Sequence, residues 1–410
     1  MPRRRINPGL QRRILSATVF PMTGKERVRL AMEKKRPDRV PFFCQFALGH
    51  YMLNTPFEPY RIWFSPQVFT DALVMLARRY RADGILVNLP GRPPDWEEHI
   101  IKKEHTDGET LLYWDDGSYS RCPENDNVHH FSGVELPRFE DVDPEALYYI
   151  EPHSITGIRY PYSYDFETSP RPRGRDFFPP YVTDPVRLAV EKAGGELHIS
   201  SEIFSPFTQF MELLGYSEGL MALMDDPEKA GKILERFAEG AAELALLQAE
   251  AGPEAVLVSS AFAGGGFISR EQYRQFVLPH EAYITDTIHR ETDCFVYVHT
   301  CGSIGDRVDL MVEAGYDGVD TLDPPPLGNT DIEEVKERLG DRIFLKGNID
   351  PVGILKNGTP EETYAHARYL AEKVGVTGGY ILSSACSVPP AAPPENIHQL
   401  YRAVTEAGRS

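Results

Sequence analysis

The sequence predicts an α/β protein, a (β/α)8 TIM barrel with a long insertion after the second strand. Three observations carry this reading. Short β-branched runs alternate with helical stretches, eight such runs are spread over the 410 residues, and no glycine-rich dinucleotide loop follows an early run. An open doubly wound sheet is the competing architecture, but Gly264-Gly265-Gly266 lacks the spacing that a dinucleotide loop needs.

Taken in order, the strands are expected at 39–46, 82–89, 196–200, 255–260, 294–299, 318–322, 342–346 and 379–384. Most are continuous apolar runs, the pattern of parallel strands buried on both faces. Helices are expected at 66–80, 185–193, 217–251, 269–289, 305–314, 331–339 and 360–374, with a closing helix from 394 to about 407. One connection departs from this rhythm. The insertion, about 90–183, holds a hairpin-like stretch at 107–117 and a crowd of aromatics: Tyr160, Tyr162, Tyr164, Phe166, Phe177, Phe178 and Tyr181. A long loop at the end of a barrel reads as a lid or binding element, or as a dimer contact. The domain division is an N-terminal arm, 1–21, followed by a single barrel domain, 22–410.

Charge and composition narrow the classes of partner. A net charge of −18 argues against nucleic acid, since phosphate binding needs a basic face. No apolar run is long enough to span a membrane, so no membrane partner is expected. The arm is rich in arginine (Arg3, Arg4, Arg5, Arg12, Arg13) without the apolar stretch of a secretory signal. A cytoplasmic protein is expected, with a homodimer as the default assembly. Five cysteines in a chain of this size are not a disulfide framework. Cys44, Cys122 and Cys294 read as core thiols.

The remaining two cysteines carry the chemistry. The fifth expected strand ends in His299-Thr300-Cys301-Gly302, and residues two apart on an extended strand point the same way. The eighth ends in Cys386. In a closed barrel both strand ends open onto one mouth. One imidazole and two thiolates make a neutral set for Zn²⁺ and leave its fourth position open, as in catalytic zinc sites. The competing reading is a pair of buried thiols beside a satisfied histidine. Around this centre, Glu202, Asn348 and Asp350 are candidate catalytic residues, with Glu202 as fourth ligand or proton donor. Asp320, Asp323, Asn348 and Asp350 are candidates to orient His299 through its second nitrogen, or to cap helices. Asn88, His50 and Asp323 are candidate substrate-binding residues.

Four stretches resemble the uroporphyrinogen decarboxylase superfamily. They are Met22-Thr-Gly-Lys-Glu-Arg-Val-Arg-Leu-Ala-Met32 with Arg36-Pro-Asp-Arg-Val-Pro41, Glu202-Ile-Phe-Ser-Pro-Phe207, the 268–279 segment, and Lys346-Gly-Asn-Ile-Asp-Pro351. The resemblance covers about 22–404 and implies the barrel fold. Decarboxylases of that superfamily carry an arginine-rich loop after the first strand. Here the stretch is Phe43-Cys-Gln-Phe-Ala-Leu-Gly-His-Tyr-Met-Leu53, with no arginine before Arg61. The His-x-Cys…Cys pattern instead resembles the zinc-dependent, cobalamin-linked methyltransferases, which implies His299, Cys301 and Cys386 as zinc ligands. That branch implies methyl transfer between a small substrate and a corrinoid, and no Asp-x-His-x-x-Gly corrinoid signature occurs in the chain. A separate corrinoid protein is therefore the expected partner. The favoured substrate is a methoxylated aromatic, with O-demethylation. A thiol methylated from the corrinoid and a cofactor-free decarboxylation are the alternatives.

Overall fold

The structure, a computed structural model, describes residues 22–133, 135–151 and 172–408. Among these residues the strands are, in chain order, β1 (Gly84–Val87), β2 (Ile100–Thr106), β3 (Glu109–Trp114), β4 (Tyr119–Pro123) and β5 (His129–Phe131), then β6 (His198–Phe204), β7 (Ala255–Ser259), β8 (Phe295–His299), β9 (Gly318–Asp320), β10 (Phe344–Ile349) and β11 (Tyr380–Ser384). β1 and β6–β11 form a curled parallel sheet of seven strands in the order β1-β6-β7-β8-β9-β10-β11. The strand expected at 39–46 is a thinner element. It makes two isolated parallel bridges, Phe42↔Leu382 and Phe46↔Val388, and the Phe42 carbonyl accepts from Asp83 N at 2.7 Å beside β1. Both edges of the sheet are therefore bonded to this one segment. Pro41 has no N–H to donate, which limits the ladder it can form.

Strand side chains alternate between two faces, and the two faces feed separate cores. Val256, Val258, Val296, Val298, Val319, Leu345 and Leu382 point outward into the large cluster shared with helical residues such as Ile233, Phe237, Ile284 and Leu400. Phe43, Leu86, Leu257, Tyr297, Phe344 and Ile381 point inward and form a second cluster with Val28, Ala31 and Met32. Those last three belong to the helix Gly24–Met32, which opens with a Thr23/Glu26 capping box. That helix seals the N-terminal end of the curled sheet. Asp83, 3% exposed, anchors it there. Its carboxylate accepts from Arg27 Nη1 at 2.6 Å, from both Arg39 terminal nitrogens at 2.7 and 2.9 Å, and from Phe42 N at 2.8 Å.

Several boundaries differ from expectation for local reasons. The helix expected at 217–251 is two, Tyr216–Asp225 and Pro227–Glu250, because Asp226 caps a new start ahead of Pro227. Likewise 269–289 divides into Arg270–Phe276 and Leu278–Glu291, with Pro279 in the first turn of the second. The strand expected at 196–200 continues to Phe204, and the one expected at 342–346 continues to Ile349. Both extensions carry polar residues inward near the mouth, where an apolar pattern stops marking the strand. The hairpin expected at 107–117 belongs to an antiparallel sheet, β2-β3-β4-β5, whose first turn falls at Asp107-Gly108. Phe177 and Phe178 pack against Tyr148 and Tyr149, at 5.1 and 5.4 Å between ring centres. Tyr160, Tyr162, Tyr164, Phe166 and the 1–21 arm lie outside the described residues. Among the described residues no helix is long and apolar enough to cross a membrane.

Asp83→Ala leaves Arg27 Nη1, most of the Arg39 guanidinium and the Phe42 N–H without their acceptor, while Arg27 keeps its bonds to Asp38. The expected loss of stability is about 3–5 kcal/mol, read from the midpoint of denaturant unfolding.

Candidate metal centre

Register puts the centre together. His299, the last residue of β8, stands directly between Ser259 of β7 and Asp320 of β9. Cys301 follows it by two residues, beyond the strand end, and Cys386 lies just past β11. The donor atoms of His299, Cys301 and Cys386 lie within 4.8 Å of one another, the one such group of three metal-binding side chains found among the described residues. Cys301 Sγ is 3.5 Å from His299 Nε2 and 3.7 Å from Cys386 Sγ, and Cys386 Sγ is 3.9 Å from His299 Nε2. Tetrahedral bonds of about 2.3 Å to sulfur and about 2.0 Å to nitrogen require edges of about 3.8 Å for S···S and about 3.6 Å for S···N. The triangle matches one face of that tetrahedron to within a few tenths of an ångström. The three side chains could hold a soft divalent cation and would leave it a fourth position.

The loops beyond the strands hold the donors in place. Asp323 Oδ2 accepts from Gly302 N at 2.6 Å and fixes the turn after Cys301. Gly264 packs against the Cys301 carbonyl so closely that a Cβ would have no room. The glycine run that fails as a dinucleotide loop thus serves a close approach of two backbones. Thr321 and Leu322 adopt positive φ of 76° and 57°, which ends β9 two residues before the expected boundary. Thr321 Oγ1 donates to the Thr300 carbonyl at 2.7 Å and ties the two loops together.

Asp320 is the residue that meets the second nitrogen of His299, with Nδ1 donating to Oδ2 over 3.2 Å. Of the four candidates for that task it is the one in register. Burial opposes charge on the imidazole, yet the bonds to Asp320 and Cys386 more than offset it and lift His299 to about 10. The hydrogen bond from Cys301 holds the Cys386 thiol well below its usual range, and the same bond pushes Cys301 well above it. Burial would raise the Asp320 carboxyl, but Lys346 and His299 outweigh it and keep the group below its ordinary value.

A cavity of about 180 Å³ opens beside the donors, with Gln45, Phe46, Asn88, Glu151, Glu202 and Phe204 in its wall together with His299, Cys301 and Cys386. Glu202 and Asn88, two of the sequence candidates, both line it. Glu202 lies within β6 rather than beyond it, and burial pushes its carboxyl up to about 7. The other candidates are engaged elsewhere. His50 is fully buried, donating from Nδ1 to the Pro390 carbonyl at 3.1 Å and accepting at Nε2 from Tyr80 Oη at 2.9 Å. Asp350 caps the short helix Pro351–Lys356 through bonds of 2.8 Å from Val352 N and Gly353 N. Asn348 donates to the Leu322 carbonyl at 2.9 Å. Asp323 holds Gly302 instead of lining the cavity. Backbone groups of the loops engage at least one polar atom of each, and the Tyr80 hydroxyl takes the second nitrogen of His50.

Sequence reasoning missed Gln45, Asn127 and Glu151 in the cavity wall and Lys346, which bonds both oxygens of Asp320 at 3.0 Å. A signal for Lys346 was present. It sits two residues after Phe344, in the inward phase of an apolar run, where a charge needs a buried partner.

The family model for Uroporphyrinogen decarboxylase (URO-D) matches residues 164–407. A uroporphyrinogen decarboxylase of Alkalilimnicola ehrlichii is 28% identical over 55% of this chain and 61% of its own length. A methylated-thiol–coenzyme M methyltransferase of Methanosarcina mazei is 26% identical over 55% of this chain and 58% of its own. The chain thus spans about three-fifths of the length of these curated relatives. Among solved structures, a methyltransferase from Methanosarcina mazei superposes with a TM-score of 0.66 at 19% identity, covering 94% of this chain and 99% of that one, which shows the shared fold.

Metal uptake should release protons. With His299 lifted to about 10, Cys301 raised above its usual range and Cys386 held well below it, a bound cation should displace about two protons near neutrality. Affinity should rise with pH, with log K gaining about 2 per pH unit between roughly 6.5 and 8.5. Titration with Zn²⁺ against a chelator at several pH values measures that slope.

Proposed function

The chain belongs to the uroporphyrinogen decarboxylase (URO-D) family, and within it we propose a zinc-dependent, corrinoid-linked methyltransferase rather than a decarboxylase. The donor triangle carries the proposal. Its edges of 3.5, 3.7 and 3.9 Å suit Zn²⁺, whose charge one imidazole and two thiolates cancel. Zinc held by His299, Cys301 and Cys386 would supply Lewis-acid chemistry at the heteroatom that loses or accepts the methyl group. Relatives named as methylcobamide:coenzyme M methyltransferases, 26% and 25% identical to this chain, support the same reading. Against a decarboxylase of tetrapyrroles, none of the described residues lining the cavity is Lys or Arg. A substrate with many carboxylates relies on such cations.

The chain's own residues have distinct parts to play. Glu202, near 7, stands at the boundary where a carboxyl both gives and takes a proton at neutral pH. It would protonate a leaving oxygen or accept a thiol proton. Asn88 and Gln45 offer amides to orient the substrate, and Phe46 and Phe204 give it apolar walls. A cavity of about 180 Å³ is below the roughly 300–1,000 Å³ of sites for drug-sized ligands. It takes a single ring or a short thiol, so a corrinoid must approach from outside, on a separate protein. Phe46 and Phe204 favour a methoxylated aromatic as methyl donor. The relatives' names favour a thiol as acceptor. We further read the curled sheet as a closed (β/α)8 barrel completed by 41–46, with 22–410 as one domain. The 90–183 insertion would be a rim element, and the reduced thiols suit a cytoplasmic setting.

Elemental analysis of the untagged protein should find one zinc per chain, lost in Cys301→Ala and Cys386→Ala while circular dichroism stays unchanged. Methyl transfer from methylcobalamin to thiols, and from methoxyphenols to cob(I)alamin, should then fall by about 10³-fold or more in both variants. Wild-type protein that neither holds nor takes up zinc would sink the proposal.

A further inference from the structure

Below the donor triangle lies an ion pair that the proposed chemistry leaves without a task. Lys346 and Asp320 have side chains only 1% and 2% exposed. The Lys346 ammonium bonds both Asp320 oxygens at 3.0 Å and lies 4.8 Å from the centre of the Phe43 ring. Backbone Thr321 N adds a bond of 2.8 Å to Asp320 Oδ1. The layer beneath is mostly apolar, with Leu257, Tyr297, Phe344 and Ile381, and its polar pair, His198 and Ser200, is uncharged and bonded to itself at 2.9 Å. Replacing a buried ion pair by apolar residues of similar volume is often neutral or stabilising, so stability alone is a poor account of it.

Register supplies the account. His299 and Asp320 are paired across β8 and β9. The β9–β10 ladder, Gly318↔Phe344 and Val319↔Leu345, brings Lys346 level with Asp320. Three side chains on three neighbouring strands thus form one row, Lys346, Asp320, His299. A carboxylate held at one oxygen can rotate about its own bond. One held at both oxygens by a cation, and at one of them by a backbone N–H as well, has a fixed plane. We infer that Lys346 is a positioning residue of the metal centre. Its two-oxygen grip on Asp320 fixes the acceptor for His299 Nδ1–H, and so commits Nε2 to the side of the two sulfurs. The inference rests on the metal-binding reading of that site.

The test is Co²⁺ binding to the full-length chain, by chelator competition and by the visible spectrum of the bound ion. Wild type is compared with Lys346→Met, Lys346→Gln and Lys346→Arg. Loss of a partner beyond the direct ligands typically weakens metal binding about 10- to 100-fold. That loss is expected for Lys346→Met, with a shifted ligand-field band. Lys346→Arg keeps a cation able to grip both oxygens and should stay within about threefold of wild type. Lys346→Gln, the milder change, carries the test if Lys346→Met does not fold. A folded Met or Gln variant with wild-type affinity and spectrum overturns the positioning role and leaves the metal site standing. A wild-type chain that takes up no Co²⁺ overturns both.

Discussion

Alternation in a parallel sheet whose two edges meet the same segment governs the rest of this molecule. Every second strand residue has to face a shared interior, and its height along the strand sets its surroundings. On β8 the inward sequence is Phe295, Tyr297 and His299, with Cys301 next beyond the strand. On β10 it is Phe344, Lys346 and Asn348. The lowest level is mostly apolar, with His198 packed against Phe43, and is closed by the helix Gly24–Met32. The level above holds Lys346 and Asp320, and the donors stand at the open end.

A row of charge in such an interior must balance locally. Lys346 offsets Asp320, and Asp320 in turn supports a proton on His299 Nδ1. The hydrogen bond between the two thiols lowers Cys386 and raises Cys301, while His299 is lifted to about 10. A divalent cation would displace those protons and meet two thiolates and a neutral imidazole, a set that cancels its charge. The loops that carry the donors are braced accordingly. Positive φ at the β-branched Thr321 costs about 1–3 kcal/mol, and its bonds to Thr300 O and Asp320 Oδ1 offset that cost.

The strands with apolar residues on both faces were legible from the sequence, as in 255–260 and 294–299, because burial on both sides leaves an unbroken apolar run. Strand ends were harder. Glu202 reads as a loop residue because it follows two serines, yet it lies within β6, whose inward face turns polar near the mouth. The donors were legible from spacing, since His299 and Cys301 stand two apart and Cys386 ends another strand. Polar residues in loops were not. His50, Asn348 and Asp350 resemble site residues in sequence, while their partners are Tyr80, the Leu322 carbonyl and two backbone amides. Nothing local separates a side chain that bonds a substrate from one that bonds the chain itself.

The sequence by itself determined the alternation of strand and helix, seven of the eight expected runs as strands of one parallel sheet, and the placing of one histidine and two cysteines at strand ends. Those follow from periodicity and residue type, which are local properties. The tertiary structure alone decided that Asp320, among four acids and amides, meets His299, and that Lys346 stands behind it. It also decided that Gly264 yields room to Cys301 and that the cavity wall includes Gln45 and Glu151. The reason is that lateral register between strands far apart in the chain is set by how the whole sheet curls, and no segment carries that information alone.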